Sequence, residues 1–274
     1  MTINCKGKLI DLTNPKVMGI LNLTPDSFYD GGKYNNERDI LEQVEKMLSW
    51  GATFIDLGAY STRPGADEIS TDEELKRLLP VLELVLNKFP DALVSIDTFK
   101  SKVAKEALER GAALINDISA GLLDEAMMEV IAEYHVPYIM MHMRGNPKTM
   151  QEQIFYEDLL QEIMFYFSER LSVARSKGII DVLIDPGFGF SKTLEQNYEL
   201  LRNLDLLTMT DRPILAGLSR KSMIYKLLGT DAQHALNGTT ALNMLALEKG
   251  ASILRVHDVA EAMECIKIYK QLTA

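Results

Sequence analysis

The side chains best equipped for chemistry recur at one kind of position. Asp56, Asp97, Asn116-Asp117, His142 and Asp185 each close a short apolar run, as do Asn22, Ser219-Arg220-Lys221 and the pair Arg255 and His257. Paired carboxylates such as Asp97 and Asp185 can hold a cationic or amidine-like ring edge, or work as acid and base. Arg255 and His257 alternate, so both side chains project to one face. With Asn22 and Arg63 they have the charge and the donors to cage a phosphate or pyrophosphate. Lys221 can donate charge to an anion, or act as a Schiff-base nucleophile if its pKa is depressed.

If the apolar runs are parallel strands, these groups converge on one rim. A (β/α)8 barrel builds its site in that way, at the C-terminal ends of its strands. The segments between the runs agree. Ile40, Val44, Met47 and Leu48 share a helical face, as do Leu75, Leu78, Leu79, Leu82 and Leu86. Ser70-Thr71-Asp72-Glu73-Glu74 reads as a helix start, with cap residues and acids in the first turn. Further helices are predicted over 100–110, 124–134, 156–177, 194–206, 221–229, 235–249 and 258–271. Gly51, Gly111, Gly178 and Gly250 supply stop signals at helix ends.

Strand, helix, glycine and strand repeat about eight times, which implies a parallel sheet. A doubly wound open sheet is the structural rival, but eight similar units favour closure. Residues 3–12 precede the first barrel strand and read as a small hairpin at the barrel bottom, and 1–274 reads as one domain. Two segments break the rhythm, 24–36 with Pro25, Gly31 and Gly32, and 59–69 with Pro64 and Gly65. Both exceed the ~2–6 residues usual for such connections, and on a catalytic rim they are candidate lids.

Each site reading has a plainer competitor. Asp97 and Asp185 suit N-caps of the following helices. Ser219-Arg220-Lys221-Ser222 is either an anion site at a helix start or a solvated basic turn. Arg255 either meets a ligand anion or pairs internally with an Asp. Gly187-Phe188-Gly189 is half of a dinucleotide fingerprint, but Lys192 stands where the third glycine belongs. His142 and His257 are too few ligands for zinc, since His135 and His234 fall in helical stretches. The run Met140-Met141-His142-Met143 reads as pocket lining or core.

Composition narrows the classes. The net charge is −10, from 29 basic against 39 acidic residues, so non-specific nucleic-acid binding is disfavoured. Cys5 and Cys265 are the two cysteines, which excludes a disulfide framework. No apolar run approaches the ~18 residues of a membrane span, and residues 1–12 carry no secretory h-region. A cytoplasmic enzyme is the starting expectation.

The ordered motifs closely resemble those of the dihydropteroate synthase family. Met18-Gly19-Ile20-Leu21-Asn22-Leu23-Thr24-Pro25-Asp26-Ser27-Phe28-Tyr29-Asp30-Gly31-Gly32 is similar to its first signature. Asp56-Leu57-Gly58-Ala59-Tyr60-Ser61-Thr62-Arg63-Pro64-Gly65 is similar to the second, with Ala59-Tyr60 where the family often has another glycine. Further matches are Ser95-Ile96-Asp97-Thr98, Asn116-Asp117, Met141-His142-Met143-Arg144-Gly145, Asp185-Pro186-Gly187-Phe188-Gly189-Phe190, Gly217-Leu218-Ser219-Arg220-Lys221-Ser222 and Arg255-Val256-His257-Asp258. They span essentially the whole chain.

The resemblance implies condensation of para-aminobenzoate with 6-hydroxymethyl-7,8-dihydropterin pyrophosphate. It places the pterin edge on Asp97, Asn116, Asp185 and Lys221, in a pocket lined by Ile118, Met140, Phe190 and Gly217. It places pyrophosphate on Asn22, Thr62, Arg63, Arg255 and His257, with Mg2+ beside Asn22. It places aminobenzoate among Phe28, Pro64, Phe190, Lys221 and Ser222. Asp30 is the candidate to orient the amine and help hold the metal, and Asp97, Lys221, Asp30 and Arg63 form the expected catalytic set. A homodimer through the late helices is also implied. The rivals are a tetrahydrofolate-dependent methyltransferase of the same pterin-binding family, a Schiff-base aldolase using Lys221, and a non-catalytic pterin binder.

Overall fold

The computed structural model describes residues 1–23, 33–60 and 69–273, of which 33–36 are described by backbone alone. An antiparallel hairpin, β1 (Thr2–Cys5) and β2 (Lys8–Asp11), opens the chain. Eight parallel strands follow and close on themselves. They are β3 (Lys16–Asn22), β4 (Phe54–Gly58), β5 (Leu93–Asp97), β6 (Leu114–Asp117), β7 (Tyr138–Met141), β8 (Val182–Asp185), β9 (Ile214–Ala216) and β10 (Ala251–Val256). Between and after them run α1 (Lys33–Trp50), α2 (Thr71–Lys88), α3 (Ser101–Glu109), α4 (Met127–Tyr134), α5 (Leu159–Ser176), α6 (Leu194–Arg202), α7 (Ser222–Tyr225), α8 (Leu236–Glu248) and α9 (Val259–Thr273). The strand order β10-β3-β4-β5-β6-β7-β8-β9 is that of a (β/α)8 barrel, as the alternation predicts.

Strand alternation sorts the apolar residues into two cores. Met18, Phe54, Leu93, Leu114, Ile139, Leu183, Leu215 and Ile253, one from each barrel strand, fill the interior. Their neighbours in sequence, such as Val17, Ile55, Val94 and Ile115, pack outward against the helices. Ile3, Cys5, Ile10 and Leu12 of the hairpin join the interior cluster, so the hairpin closes the barrel bottom. The top is therefore where inward positions are free to carry polar groups.

The helix signals act as read. Ser70 Oγ accepts from Glu73 N at 3.1 Å, with Asp72, Glu73 and Glu74 in the first turn of α2. Gly51, Gly111, Gly178 and Gly250 all take positive φ at helix ends. Two predicted helices contract. The stretch 194–206 is α-helical only to Arg202 and continues as a 3-10 turn from Leu204 to Thr210. The stretch 221–229 keeps α-helix only over Ser222–Tyr225. Among the described residues, no helix is long and apolar enough to cross a membrane.

Candidate functional site

The polar groups of the barrel mouth meet around one guanidinium. Arg255, on β10, donates from Nε to Asp56 Oδ2 and from Nη2 to Asp97 Oδ2, each at 2.6 Å. Asn116 Nδ2 donates to the same Asp56 oxygen at 3.1 Å. The β4–β5 register sets Asp56 beside Ser95, and the β5–β6 register sets Asp97 beside Asn116. Of the two readings of Arg255, the internal ion pair is the one present, and it uses two carboxylates. Burial raises Asp97 above the ordinary carboxylate range to about 7, with Arg255 pulling down and Asp56 pushing up.

Asp185 lies across the mouth at the end of β8. Its Oδ1 accepts from Gly187 N at 2.8 Å, a turn bond inside its own loop. Neither Asp97 nor Asp185 caps a helix: the N-cap of α3 is Lys100 and that of α6 is Thr193. Burial raises the Asp185 carboxyl, opposed by the charge of Lys221. Burial lowers the Lys221 amine to about 8, with Asp185 resisting. Lys221 Nζ donates to Phe188 O and sits 4.9 Å from the Phe190 ring centroid. A Cβ at Gly217 would stand 3.7 Å from Lys221 Nζ and 3.8 Å from Asp185 Oδ2, so glycine there leaves open the space between the two charges. The chemistry is that of a buried acid–base edge able to grip a ring carrying both donors and acceptors.

The wall beside this edge is apolar. Ile118, Met141, Met143 and Met150 cluster there, with Phe99 and Phe190 packed against them. The structure corrects the expectation for Met140, whose side chain belongs to the outer core between barrel and helices. The pleat turns Met141, one residue on, inward. Arg220 also leaves the site. It forks onto Asp258 at 2.9 and 2.7 Å, at a φ of 56° that swings it away from its neighbour Lys221. Because α7 is four residues long, the Lys221 charge, rather than a helix dipole, makes the positive end near half-buried Ser222.

At the rim, His257 Nδ1 lies 3.0 Å from Ser219 Oγ, which also accepts from His257 N at 3.2 Å. Asn22 ends β3 against Gly58, where a Cβ would lie 3.7 Å from Asn22 Oδ1 and 3.4 Å from Asp97 Cβ. Gly58 thus leaves open the space between the Asn22 side chain and Asp97. Among the described residues, no group of three or more His, Cys, Asp or Glu side chains could hold a metal. Magnesium is less demanding, since one or two protein oxygens plus substrate phosphates suffice. Asn22 fits that donor set.

Phe28, Asp30, Thr62, Arg63 and Pro64 lie outside the described residues. The chain entering and leaving 61–68 is anchored, because Lys100 Nζ sits 5.2 Å from the Tyr60 ring centroid and donates to Ile69 O at 2.7 Å. Lys100 also pairs with buried Glu74 at 2.9 Å. Sequence reading put Asp56 and Ser219 on the rim, and Met141 in a run of pocket lining or core, but gave none of the three a role at the site. Asp56 was findable, because it lies two residues after inward-facing Phe54 and so shares its face. An open cavity of about 500 Å³ beside the mouth is lined by residues including Ser119, Leu122, Met143, Arg144 and Phe155. Its charged group, Arg144, is already paired with Glu162, so the converging charges of the mouth mark the better site.

Comparison with known proteins finds relatives along the whole chain. The profile of the pterin-binding enzyme family matches residues 18–257. The dihydropteroate synthase of Escherichia coli strain K12 is 44% identical over 270 residues, covering 98% of this chain and 95% of that protein. The structure of the Yersinia pestis dihydropteroate synthase with a sulfonamide drug superposes with a TM-score of 0.93 at 44% identity, covering 100% of this chain and 99% of that one. The Xanthomonas albilineans dihydropteroate synthase with 4-aminobenzoic acid gives a TM-score of 0.92 at 37% identity, covering 100% and 98%.

Proposed function

The chain belongs to the pterin-binding enzymes and, within them, to the dihydropteroate synthases, and from that premise we infer how its barrel mouth works. It is a transferase that joins para-aminobenzoate to 6-hydroxymethyl-7,8-dihydropterin pyrophosphate, giving 7,8-dihydropteroate and pyrophosphate. The methyltransferase reading is not favoured by relatives matched over nearly their full length. The observation that supports the assignment of roles is the meeting of Asp97, Asn116, Asp185 and Lys221 over one apolar wall.

In this reading Asp185, Lys221 and Asn116 hold the pterin edge against Ile118, Met141 and Phe190. Arg255, His257 and Asn22 receive the diphosphate, joined by Thr62 and Arg63. Asn22 would help hold Mg2+, which when bound would supply positive charge to neutralise the leaving group. The C–O bond breaks first and its electron pair leaves on diphosphate. The pterin-methyl cation is stabilised by Asp97, freed as Arg255 turns toward the diphosphate. The aryl amine, a weak nucleophile, then closes the C–N bond, and its proton passes to the departing diphosphate, the stronger base. Asp30 orients the amine, while Phe28, Pro64, Lys221 and Ser222 seat the aminobenzoate. The two segments that the sequence offers as lids lie largely outside the described residues.

The protein acts in the cytoplasm, with both cysteines free and buried. It pairs with a second copy through its late helices, where Leu245, Ile268 and Leu272 are exposed. The order of steps is testable with substrate labelled by 18O in the C–O–P bridge. Incubated without aminobenzoate, recovered substrate should carry label scrambled into the non-bridging positions. Absence of scrambling, with a nitrogen isotope effect showing amine bonding before C–O cleavage, would contradict it.

A further inference from the structure

Beneath the wall formed by Phe190 lies a buried amine that the reaction above does not use. Lys192 is 5% exposed; among the described residues no carboxylate lies within ion-pair distance of its Nζ, and the nearby charge of Asp185 only partly offsets the burial that lowers the amine to about 7. Its Nζ stands 3.1 Å from His142 Nδ1, 3.0 Å from Gly187 O and 3.1 Å from Phe190 O. Burying an ammonium without a counter-ion is costly unless every proton finds an acceptor. Here three donors meet three acceptors, provided that Nδ1 of His142 carries its lone pair. Burial and the nearby Lys192 charge hold His142 well below its usual pKa, so its ring is neutral. The ring is also fixed, packed edge-on against Tyr166 at 4.8 Å between centroids.

What this amine grips is the loop that builds the site. Gly187, Gly189 and Ser191 all have positive φ, at 70°, 82° and 49°. The two glycines take this conformation freely, whereas at Ser191 it must be held by the surroundings. Gly187 N is tied to Asp185, Phe188 O to Lys221, and the Phe190 ring lies under Lys221. The two carbonyls that Lys192 binds bracket this turn. Asn197 Oδ1 accepts from Gly189 N at 2.6 Å in the middle of the turn, and Tyr156, donating to Ser191 O at 2.9 Å, steadies its far end; Lys192 alone ties its two bracketing carbonyls together from below.

We propose that Lys192, seated on His142, is a positioning residue that fixes the 187–190 turn and thereby sets Asp185, Phe190 and Lys221 for the pterin. The proposal rests on reading those three residues as the pterin site. It also accounts for His142, which neither the zinc reading nor the reaction employs, and for a lysine where a dinucleotide loop would carry glycine.

The test measures two affinities on the full chain. One is for 6-hydroxymethyl-7,8-dihydropterin, by fluorescence; the other is for inorganic diphosphate with Mg2+, by calorimetry. Lys192→Met and His142→Leu should each weaken the pterin at least tenfold and leave diphosphate within twofold. The double variant should be no worse than either single one. His142→Asn, which restores an acceptor oxygen, should recover most of the pterin affinity. A general softening of the fold would weaken both ligands alike, and that result overturns the proposal. So does a Lys192→Met protein that binds pterin within twofold of wild type. If Lys192→Met does not fold, the His142→Leu and His142→Asn pair decides on its own. Wild-type protein that binds diphosphate but no pterin would overturn the reading of the site itself, and the proposal with it.

Discussion

Asp56→Ala asks whether Arg255 depends on two carboxylates. Asp56 is fully buried, and its Oδ2 takes one of the two 2.6 Å contacts of the guanidinium. Removing one partner of a buried ion pair costs about 3–5 kcal/mol. Arg255 keeps Asp97, so the low end applies, about 3 kcal/mol. Unfolding entropy is about 2.1 cal/mol/K per residue, so a chain of 274 residues should melt about 5 °C lower. The variant should also shift a titration. Asp56 is one of the charges that push Asp97 up, and Arg255 pulls it down. Without Asp56, Asp97 ionises below its present value of about 7, and the acid limb of kcat/KM moves to lower pH. Asp56→Asn should shift the limb in the same direction with a smaller loss of Tm, because the amide oxygen still accepts from Arg255. Thermal denaturation and a pH–rate profile read both effects. An unchanged Tm together with an acid limb that stays put or moves up would refute the two-carboxylate account.

Other consequences are as definite. Gly187→Ala would set a Cβ 2.1 Å from the carbonyl oxygen of His142, at a φ of 70°; the variant should melt well below wild type and lose pterin binding, both readable in one thermal-shift titration. In wild type, kcat/KM for the pterin substrate should be bell-shaped. Activity falls on the acid side as Asp97, near 7, gains a proton, and on the alkaline side as Lys221, near 8, loses one. These limbs belong to the coupled site, and Lys221→Arg should remove the alkaline one. Met140→Ala should cost about 2–5 kcal/mol of stability with pterin affinity within twofold of wild type, whereas Met141→Ala should weaken pterin binding directly; the reverse pattern would restore Met140 to the pocket.

The barrel was legible because its strands end in polar residues and its helices end in glycine, both local signals. Which way each side chain points was less so. Met140 and Met141 are the same residue type in the same short strand, and only the register of β7 against β8, which sets Met141 beside Asp185, tells them apart. Asp56 could be read as one more rim residue until closure brought β10 next to β3 and carried Arg255 across to it. Arg220 stands beside Lys221 in a basic run, yet a left-handed backbone at Arg220 and the carboxylate of Asp258 send the two side chains to different partners. These outcomes depend on contacts between residues far apart in the chain, 199 positions in the case of Arg255 and Asp56. A chain read locally does not display them.

The central claim is that this barrel mouth joins a pterin to an aryl amine. The most direct measurement mixes purified protein with dihydropterin pyrophosphate, para-aminobenzoate and Mg2+, and follows dihydropteroate by chromatography alongside diphosphate release. The account predicts both products in equal amounts. Diphosphate release without dihydropteroate would contradict the second-substrate assignment, and neither product from folded, pterin-binding protein would contradict the synthase itself.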